Sequence, residues 1–296
     1  MRRFGGFATE RRRSRLSLPC RVISLPLHYY ALLALLGVAV VVSAQGPALS
    51  PDQSVPQNPQ SAGPSLMPAR GNASATIDQA IRLADAARQS FQAIKDYTCL
   101  MIKQEQIQGQ LEAENVMEMK IRNRPFSVYL RWLAPGNVAG QEACFVAGRN
   151  NNMMRVHPTG FKGAFGFLSI APNDPRVMEH SRHTILEAGL GNLIEQLHSC
   201  WEVDRQRNNV QVRIAEYEYN KRRCTRVEIS RPEKTTGPHS VYRSVAYFDK
   251  ENHMPVRIEL YDWPRSGGSP GGELVESYSY VNLRFNVELT DRVFEH

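Results

Sequence analysis

The sequence has 296 residues, of which 42% are hydrophobic, and a formal net charge of +7. Residues 1–44 contain seven arginines and one glutamate and account for +6 of this charge, which leaves +1 for the other residues. Because the basic charge is confined to the leading segment, the composition argues against a nucleic-acid-binding surface.

Residues 1–44 have the features of an export signal. Arginines precede an apolar run at residues 30–42, and the run ends in the small-residue pattern Val42-Ser43-Ala44. An uncleaved membrane anchor is the alternative, but a spanning helix needs about 20 apolar residues and this run is shorter. We therefore predict a cleaved signal peptide and a mature protein of the periplasm or cell envelope that has no stable membrane span.

Residues 45–73 are rich in Pro, Ser and Gln and show no apolar periodicity. Such a composition predicts a disordered linker. A domain at residues 74–296 follows. Thr76 and Gln79 form a capping-box pattern, and apolar residues then recur at helical spacing, which predicts an amphipathic helix at about 76–95.

Alternating apolar and polar residues then predict a series of strands. Residues 97–107 and 111–121 flank a Gln-Gly-Gln turn and predict a hairpin. Further strands are predicted around residues 126–132, 141–148 and 152–156, and throughout the last third of the chain.

Residues 159–174 interrupt this series with a glycine-punctuated, aromatic segment. A long irregular segment in a compact domain is often functional, and methionine adapts to varied apolar chains. We interpret it as a hydrophobic lid over a ligand groove; the alternative is a loop packed on the protein's own core. The predicted ligand-binding residues are Trp132, Met153, Met154, Phe161, Phe165, Phe167, Leu168 and Ile170.

Residues 184–200 predict a second helix, which Gly189 and Gly191 weaken. Just before and within it lie Glu179, His180, His183 and Glu187. Helical spacing could place some of them on one face as metal ligands, but no third-ligand pattern follows. A solvated polar face is the alternative that we prefer, and we predict no metal site and no cofactor.

The alternation in the last third predicts an antiparallel sheet with one buried and one wet face. The whole domain is therefore predicted to be an α+β fold, in which a curled antiparallel sheet of about ten strands has two helices over its concave face.

Four cysteines follow the signal peptide: Cys99, Cys144, Cys200 and Cys224. In an oxidising compartment an even number permits two disulfides, with three ways to connect them. The alternative is four buried free thiols that pack as small hydrophobic side chains.

Residues 247–296 combine four features: a strand that ends in an aspartate, a partner strand that starts with proline, a strand with tyrosine–polar alternation and a terminal Asp-x-x-Phe. These features fall on Asp249, Pro255, Tyr278, Tyr280, Asp291 and Phe294. In them the chain resembles the periplasmic lipoprotein-carrier superfamily of the LolA/LolB type.

The wider chain, about 200 residues, looks like an uncharacterised bacterial domain family of that superfamily. The resemblance implies an unclosed half-barrel whose helices plug an apolar cavity, in proteins that carry acyl chains or sense lipoproteins. The hairpin around Asp249 is then architectural, with turn chemistry at residues 249–252 and an edge strand that starts at Pro255.

We infer from these observations an exported, non-enzymatic protein that binds a lipid, a lipoprotein acyl chain or another apolar ligand in the cell envelope. A protein-interaction or sensor module of the envelope, with its cavity filled by side chains, is the second hypothesis. A hydrolase or metal enzyme is the third, although the sequence contains no phosphate-loop or zinc-protease motif.

Overall fold

The computed structural model describes residues 75–234 and 240–295. The predicted signal peptide at 1–44 and linker at 45–73 lie outside these residues. In the described part of the chain, no helix combines the length and the apolar character that a membrane span requires.

Twelve strands form one antiparallel sheet in the described residues. They are β1 (Asp96–Ile107), β2 (Gln110–Leu111), β3 (Asn115–Arg122), β4 (Ser127–Ala134), β5 (Glu142–Val146), β6 (Met154–His157), β7 (Leu168–Ile170), β8 (Gln211–Tyr219), β9 (Arg222–Ser230), β10 (Arg243–Asp249), β11 (Pro255–Tyr261) and β12 (Leu274–Phe285).

The strand order is β7-β6-β5-β4-β3-β1-β12-β11-β10-β9-β8, with β2 paired to β1. Within the described ranges β7 and β8 form the two ends, so the sheet is open and not closed into a barrel. The curled antiparallel sheet and the α+β class predicted from the sequence are confirmed. The two halves join at β1 and β12, where Met101 is opposite Tyr280.

Helix α1 (Ile77–Phe91) starts as its sequence predicts. The Gln79 amide donates to the Thr76 hydroxyl, and the Thr76 amide donates to the Gln79 side chain. This capping box satisfies two of the amides that a helix start leaves without partners. Ala80, Ala84 and Ala87 are buried in the main core.

The second predicted helix is displaced. Helix α2 (Pro175–Met178) is a single turn, Ile185–Glu187 forms a 3₁₀ turn, and the long helix α3 spans Leu190–Arg207 rather than 184–200. The reason is Gly189, which has a φ of 99° and breaks the helical path just before Leu190. Arg207 is followed by Asn208 in a left-handed conformation, which ends the helix.

Helices α1 and α3 cover the concave face of the sheet. They pair through a bidentate contact in which the Arg88 guanidinium donates to both oxygens of Glu195, at 2.8 Å each. Beneath them α3 inserts Trp201, which is fully buried and lies 5.9 Å from the ring of Phe248 on β10. Five buried methionines belong to the same core: Met101, Met117, Met119, Met154 and Met254.

The far end of α3 is fixed by a buried ion pair. The Arg231 guanidinium, just after β9, donates to both carboxylate oxygens of Asp204 at 2.9 and 2.6 Å. Asp204 is 2% exposed and Arg231 is 5% exposed, so both charges are desolvated and each needs the other.

The C-terminal segment packs on the opposite, outer face of the sheet. The Phe294 ring is buried against Tyr129, Cys144 and Val146, and the Arg122 guanidinium lies 4.9 Å from its centroid. Asp291 accepts from Arg122 at 2.6 Å and from Arg149 at 2.7 Å. The Asp-x-x-Phe pattern is therefore a clasp that holds the segment on β3–β5.

The outer face of β9–β11 is less exposed to solvent than the alternation of apolar and polar residues predicts. Arg257 is 7% exposed, donates to Glu259 and Ser279 at 2.7 Å each, and lies 5.4 Å from the Tyr219 ring. Tyrosine side chains shield the arginines and glutamates of this face, so paired charges replace solvation there.

Candidate functional site

The residues of the predicted lid belong mainly to the edge of the sheet. Met154 is a buried core residue of β6, and Ile170 of β7 packs against the same core. Leu168, also on β7, is 43% exposed. Strand β7 pairs with β6, with Met154 opposite Ile170. Within the segment, Leu168–Ile170 adds an edge strand to the sheet and Gly160–Phe165 forms a 3₁₀ helix.

The remaining predicted lid residues surround this edge. The Trp132 indole donates to the Asn115 side chain at 3.0 Å and packs on the core, and Met153 is half-buried. The Phe167 ring lies 5.1 Å from the ring of His157. The side chains of Phe161 and Phe165 lie outside the described part of the structure. A ligand-binding role for these eight residues stays a prediction.

The four cysteines are free thiols, which corrects the expectation of disulfides. They lie on different elements: Cys99 on β1, Cys144 on β5, Cys200 on α3 and Cys224 on β9. Cys144 and Cys224 belong to two separate hydrophobic clusters of the outer face, while Cys99 belongs to the main core. Each thiol packs as a small hydrophobic group, as in the alternative interpretation.

The candidate metal ligands do not form a set. Glu179 follows the single turn of α2, and His183 and Glu187 lie in the irregular segment before α3, so the four residues share no helix. Among the described residues, no group of three or more His, Cys, Asp or Glu side chains is placed to hold a metal ion. Two of the four, His183 and Glu187, contact each other and join a different cluster.

This cluster attaches residues 181–187, which we name the strap, to the concave side of β1 and β12. The ring of His183 lies between two carboxylates: Nδ1 is 2.8 Å from Glu187 and Nε2 is 3.1 Å from Glu276. The Arg182 side chain donates to Glu276 at 2.8 Å, and the Arg182 amide donates to Glu105 at 3.1 Å.

Glu105 has both carboxylate oxygens occupied. One accepts from the Lys103 ammonium at 3.0 Å, and the other accepts from the Tyr278 hydroxyl. Lys103 also donates to the hydroxyl of Ser181 at 3.0 Å. Glu105 and Glu276 are 3% and 6% exposed, and buried carboxylates of this kind persist as ions only when they are paired.

The ion pairs of this cluster shift the pKa values of His183 and Glu276. The hydrogen bond to Glu276 raises the pKa of His183 to about 9, against the opposing effect of burial, and Glu187 adds to the increase. Burial by itself raises the pKa of Glu276, but the contacts with His183 and Arg182 outweigh it and hold that pKa below its ordinary value. The cluster is therefore an ion-pair network at neutral pH.

The charged groups of this network form hydrogen bonds with one another and do not present a reactive group. Its cations and carboxylates pair with one another at hydrogen-bond distance, which is typical of a structural attachment. Glu105 and Glu276 are not among the site residues predicted from the sequence. A usable signal was the two-residue strand period, because Glu276 shares a face with Tyr278 and Tyr280, where core side chains are expected.

The strap joins α3 at a tight corner. A Cβ atom on Gly189 would lie 2.5 Å from the Ile121 side chain and 2.6 Å from the Tyr97 hydroxyl. Immediately afterwards the amide of Leu190 donates to the same Tyr97 hydroxyl at 2.7 Å, in a fully buried contact. The position of the first turn of α3 thus depends on the strap and on β1 together.

A cleft of about 290 Å³ opens at the turn between β10 and β11. We name it the turn cleft; it is lined by Leu83, Thr225, Phe248, Asp249, Lys250 and His253. Leu83 of α1 and the buried ring of Phe248 form apolar walls that belong to the main core or pack against it. Asp249, Lys250 and His253 form a polar rim.

Asp249 fixes the geometry of this rim. One of its carboxylate oxygens accepts from the amides of Glu251 and Asn252 at 2.8 and 3.2 Å, and the other pairs with Arg222. The His253 amide donates to the Asp249 carbonyl at 2.9 Å, and this holds His253 at a φ of 64°. The predicted turn chemistry is confirmed.

The expectation that Pro255 starts an edge strand is wrong, because β11 lies between β10 and β12. Pro255 is the first residue of that inner strand, and the register shifts between Tyr247 and Phe248, which faces Pro255. A proline without an amide donor is tolerated at such a strand start.

No curated protein sequence matches this chain. Several solved structures resemble it at low identity. The lipoprotein LppX of Mycobacterium tuberculosis has a TM-score of 0.42 at 9% identity, covering 73% of this chain and 99% of that one. A MucA/MucB complex of Pseudomonas aeruginosa has a TM-score of 0.41 at 11% identity, covering 74% and 61%. A LolA superfamily protein from Nitrosomonas europaea has a TM-score of 0.33 at 10% identity, covering 73% and 97%.

These TM-scores and identities are low, so the likenesses carry no argument about a ligand or a partner. A family model described as "Protein of unknown function (DUF1571)" matches residues 94–296, more than half of the chain. The match agrees with the resemblance to an uncharacterised domain family, while membership of the carrier superfamily stays a prediction. The chain belongs to the DUF1571 family of proteins of unknown function.

Proposed function

We propose that this domain is an exported, non-enzymatic protein that reversibly binds the apolar chain of a lipid or of a lipoprotein acyl group in the cell envelope. The turn cleft carries the proposal, because there the apolar core beneath the helices reaches the surface between Leu83 and Phe248. A ligand chain that enters the cleft would extend between α1 and the sheet.

The composition of the core supports such an entry. Met254 follows the rim residue His253 and is fully buried, and four other methionines line the same core. Methionine side chains are flexible and polarizable, so they re-pack around an inserted chain at lower cost than branched side chains do. Helices α1 and α3 also pair through exposed ions, Arg88 with Glu195 and Arg205 with Asp78, which water can re-solvate when the helices move.

The rim fits a ligand with one polar end. Lys250 is oriented by its contact with Glu216, and Thr225 and His253 line the same cleft. Small-molecule sites typically combine an apolar lining with a few polar groups of this kind, in a volume of about 300–1,000 Å³. The turn cleft is at the small end of that range, so we expect it to enlarge when a chain enters.

The test is a binding titration with dansyl-labelled undecanoic acid, together with lipid mass spectrometry of the protein purified without detergent. Leu83→Asp places a charge in the turn cleft and is expected to weaken probe binding at least tenfold, about 1.4 kcal/mol. Leu133→Asp, at an exposed leucine of β4, is the matched control and should leave binding unchanged. Unfolding curves of both variants show whether the fold is intact.

The variant Phe167→Asp distinguishes a ligand site in the turn cleft from one at the predicted lid. Loss of probe binding in Phe167→Asp with normal binding in Leu83→Asp would move the site to the β6–β7 edge. A wild-type protein that carries no lipid and does not bind the probe would refute the proposal.

A protein-interaction module is the second candidate, and the filled core favours it. Trp201, Leu193 and Leu197 of α3 occupy the space between the helix and the sheet, as expected if a partner binds the outside of the domain. Cross-linking in intact cells tests it: capture of a defined envelope protein by a lipid-free domain would support this candidate over lipid binding. The prediction that the protein is not an enzyme stays a prediction.

A further inference from the structure

The strap is a charge-balanced attachment that meets α3 at the Gly189 corner. With His183 protonated, three cations face three carboxylates: Lys103, Arg182 and His183 against Glu105, Glu187 and Glu276. Gly189, with its φ of 99°, forms the corner between the strap and α3. The strap therefore joins a titratable side chain to the start of the helix that covers the core.

We propose that the strap is a proton-linked latch, which holds the first turn of α3 against β1 and β12 while His183 is protonated and releases it when His183 loses its proton. This inference concerns the conformation of the protein and does not depend on which ligand it binds.

The direction of the effect follows from proton linkage. An unpaired histidine has a pKa of about 6.5, whereas the contacts with Glu276 and Glu187 raise the pKa of His183 to about 9. Between pH 6.5 and pH 9 the strap that is attached to β1 and β12 binds one more proton than the released strap. The stabilisation is therefore complete below pH 6.5, declines as the pH rises, and is lost above about pH 9.

The strap also loses stabilisation at low pH. The pKa values of Glu276 and Glu187 are held below the ordinary glutamate value of about 4.3, since their contacts with the neighbouring hydrogen-bond donors outweigh the effect of burial. Their contribution is present above about pH 4.3 and is lost as the pH falls through the lowered values. The latch is thus tightest at mildly acidic pH.

The groups around His183 increase the destabilisation of the strap that follows its deprotonation. Tyr278, whose ring lies 6.0 Å from that of His183, keeps its proton because burial, followed by Glu276 and Glu105, raises its pKa. Deprotonation of His183 therefore leaves three carboxylates opposite two cations. An unbalanced negative charge beside the buried carboxylates of Glu105 and Glu276 is unfavourable, and solvation of the released strap relieves it.

The experiment combines two NMR measurements on the whole protein between pH 6 and 9.5. The first is the titration of the His183 ring, and the second is hydrogen exchange at the Leu190 amide, corrected for intrinsic exchange. We expect a His183 pKa near 9 and a loss of Leu190 protection of at least about tenfold between pH 6.5 and 9. His183→Gln should abolish this pH dependence.

His198→Gln is the matched control, because His198 contacts Asp85 at 3.2 Å on the helical surface and should leave the latch unchanged. Glu276→Gln should lower the pKa of His183 towards 6.5, a change that loss of packing alone would not cause. A wild-type His183 that titrates near 6.5, or Leu190 protection that stays pH-dependent in His183→Gln, would overturn the proposal. The wild-type titration decides the question even if a variant does not fold.

Discussion

At the scale of single residues, charges placed where the strand and helix patterns expect apolar groups make the main attachments of this domain. Asp204 lies on the buried side of α3, and Glu276 lies on the buried side of β12. Both have partners distant in the chain, Arg231 and the strap, and both connect a helical segment to the sheet. Such residues fix where a helix lies on a sheet, which apolar contacts alone leave less defined.

The Arg231–Asp204 pair allows a direct test. Arg231→Met removes the partner of a buried carboxylate, so we expect the free energy of unfolding to fall by about 3–5 kcal/mol in urea denaturation. Replacing both residues, Arg231→Met with Asp204→Leu, should restore most of the loss, because no buried charge is left unpaired.

Arg205→Met is the control for this test, because the exposed Arg205 pairs with Glu202 at 2.5 Å on the helix surface. It should cost less than about 1 kcal/mol. Equal losses in Arg231→Met and in the control would show that the buried pair contributes no more than a surface pair.

At the scale of elements, the sequence predicts those whose signals are local. The start of α1 is correct because Thr76 and Gln79 specify it within one turn. The start of α3 is six residues too early in the prediction, because apolar residues at 185 and 186 continue the helical period across Gly189. The conformation of Gly189 depends on contacts with Ile121 and Tyr97, which a local pattern does not contain.

The candidate site likewise combines local features that the sequence predicts with long-range features that it does not. The turn at Asp249 is predictable because its hydrogen bonds run to residues two and three positions away. The turn cleft is not, because Leu83 comes from α1, at a distance of more than 160 residues in the chain from Phe248. The strap likewise joins Arg182 to Glu105 and Glu276.

The C-terminal clasp is an element whose stability can be measured. Phe294→Ala removes the buried ring that packs on Tyr129, Cys144 and Val146, so we expect a loss of about 3 kcal/mol in the free energy of unfolding. Val287→Ala, at an exposed residue of the same segment, should stay within about 0.5 kcal/mol of wild type. A Phe294→Ala variant as stable as Val287→Ala would mean that the segment contributes little to the fold.

At the scale of the whole molecule, strand alternation predicts a curled antiparallel sheet and the α+β class, whereas the openness of the sheet is implied by the resemblance to the carrier superfamily. The strand number was underestimated, since β2 and β7 contain two and three residues and are too short to display a period. The strand order was not predictable, because register across β1 and β12 joins residues that are far apart in the chain.

The thiols give a prediction for the whole fold. Burial raises the pKa of Cys144 to about 12 and of Cys200 and Cys224 to about 11, and it also raises that of Cys99. We therefore expect slow alkylation of all four in the native protein, complete alkylation in denaturant without a reductant, and an unfolding midpoint that dithiothreitol does not change. Peptide mass spectrometry that finds any of the four alkylated only after reduction would contradict this.

The pairing of β1 with β12 has a consequence for when the domain acquires its structure. The first and last strands of the domain are neighbours in the middle of the sheet, and together they connect its two halves. A growing chain that lacks residues 274–285 leaves both halves with an unpaired inner edge, and closing so long a loop is slow. The domain is therefore expected to stay unfolded until synthesis passes β12.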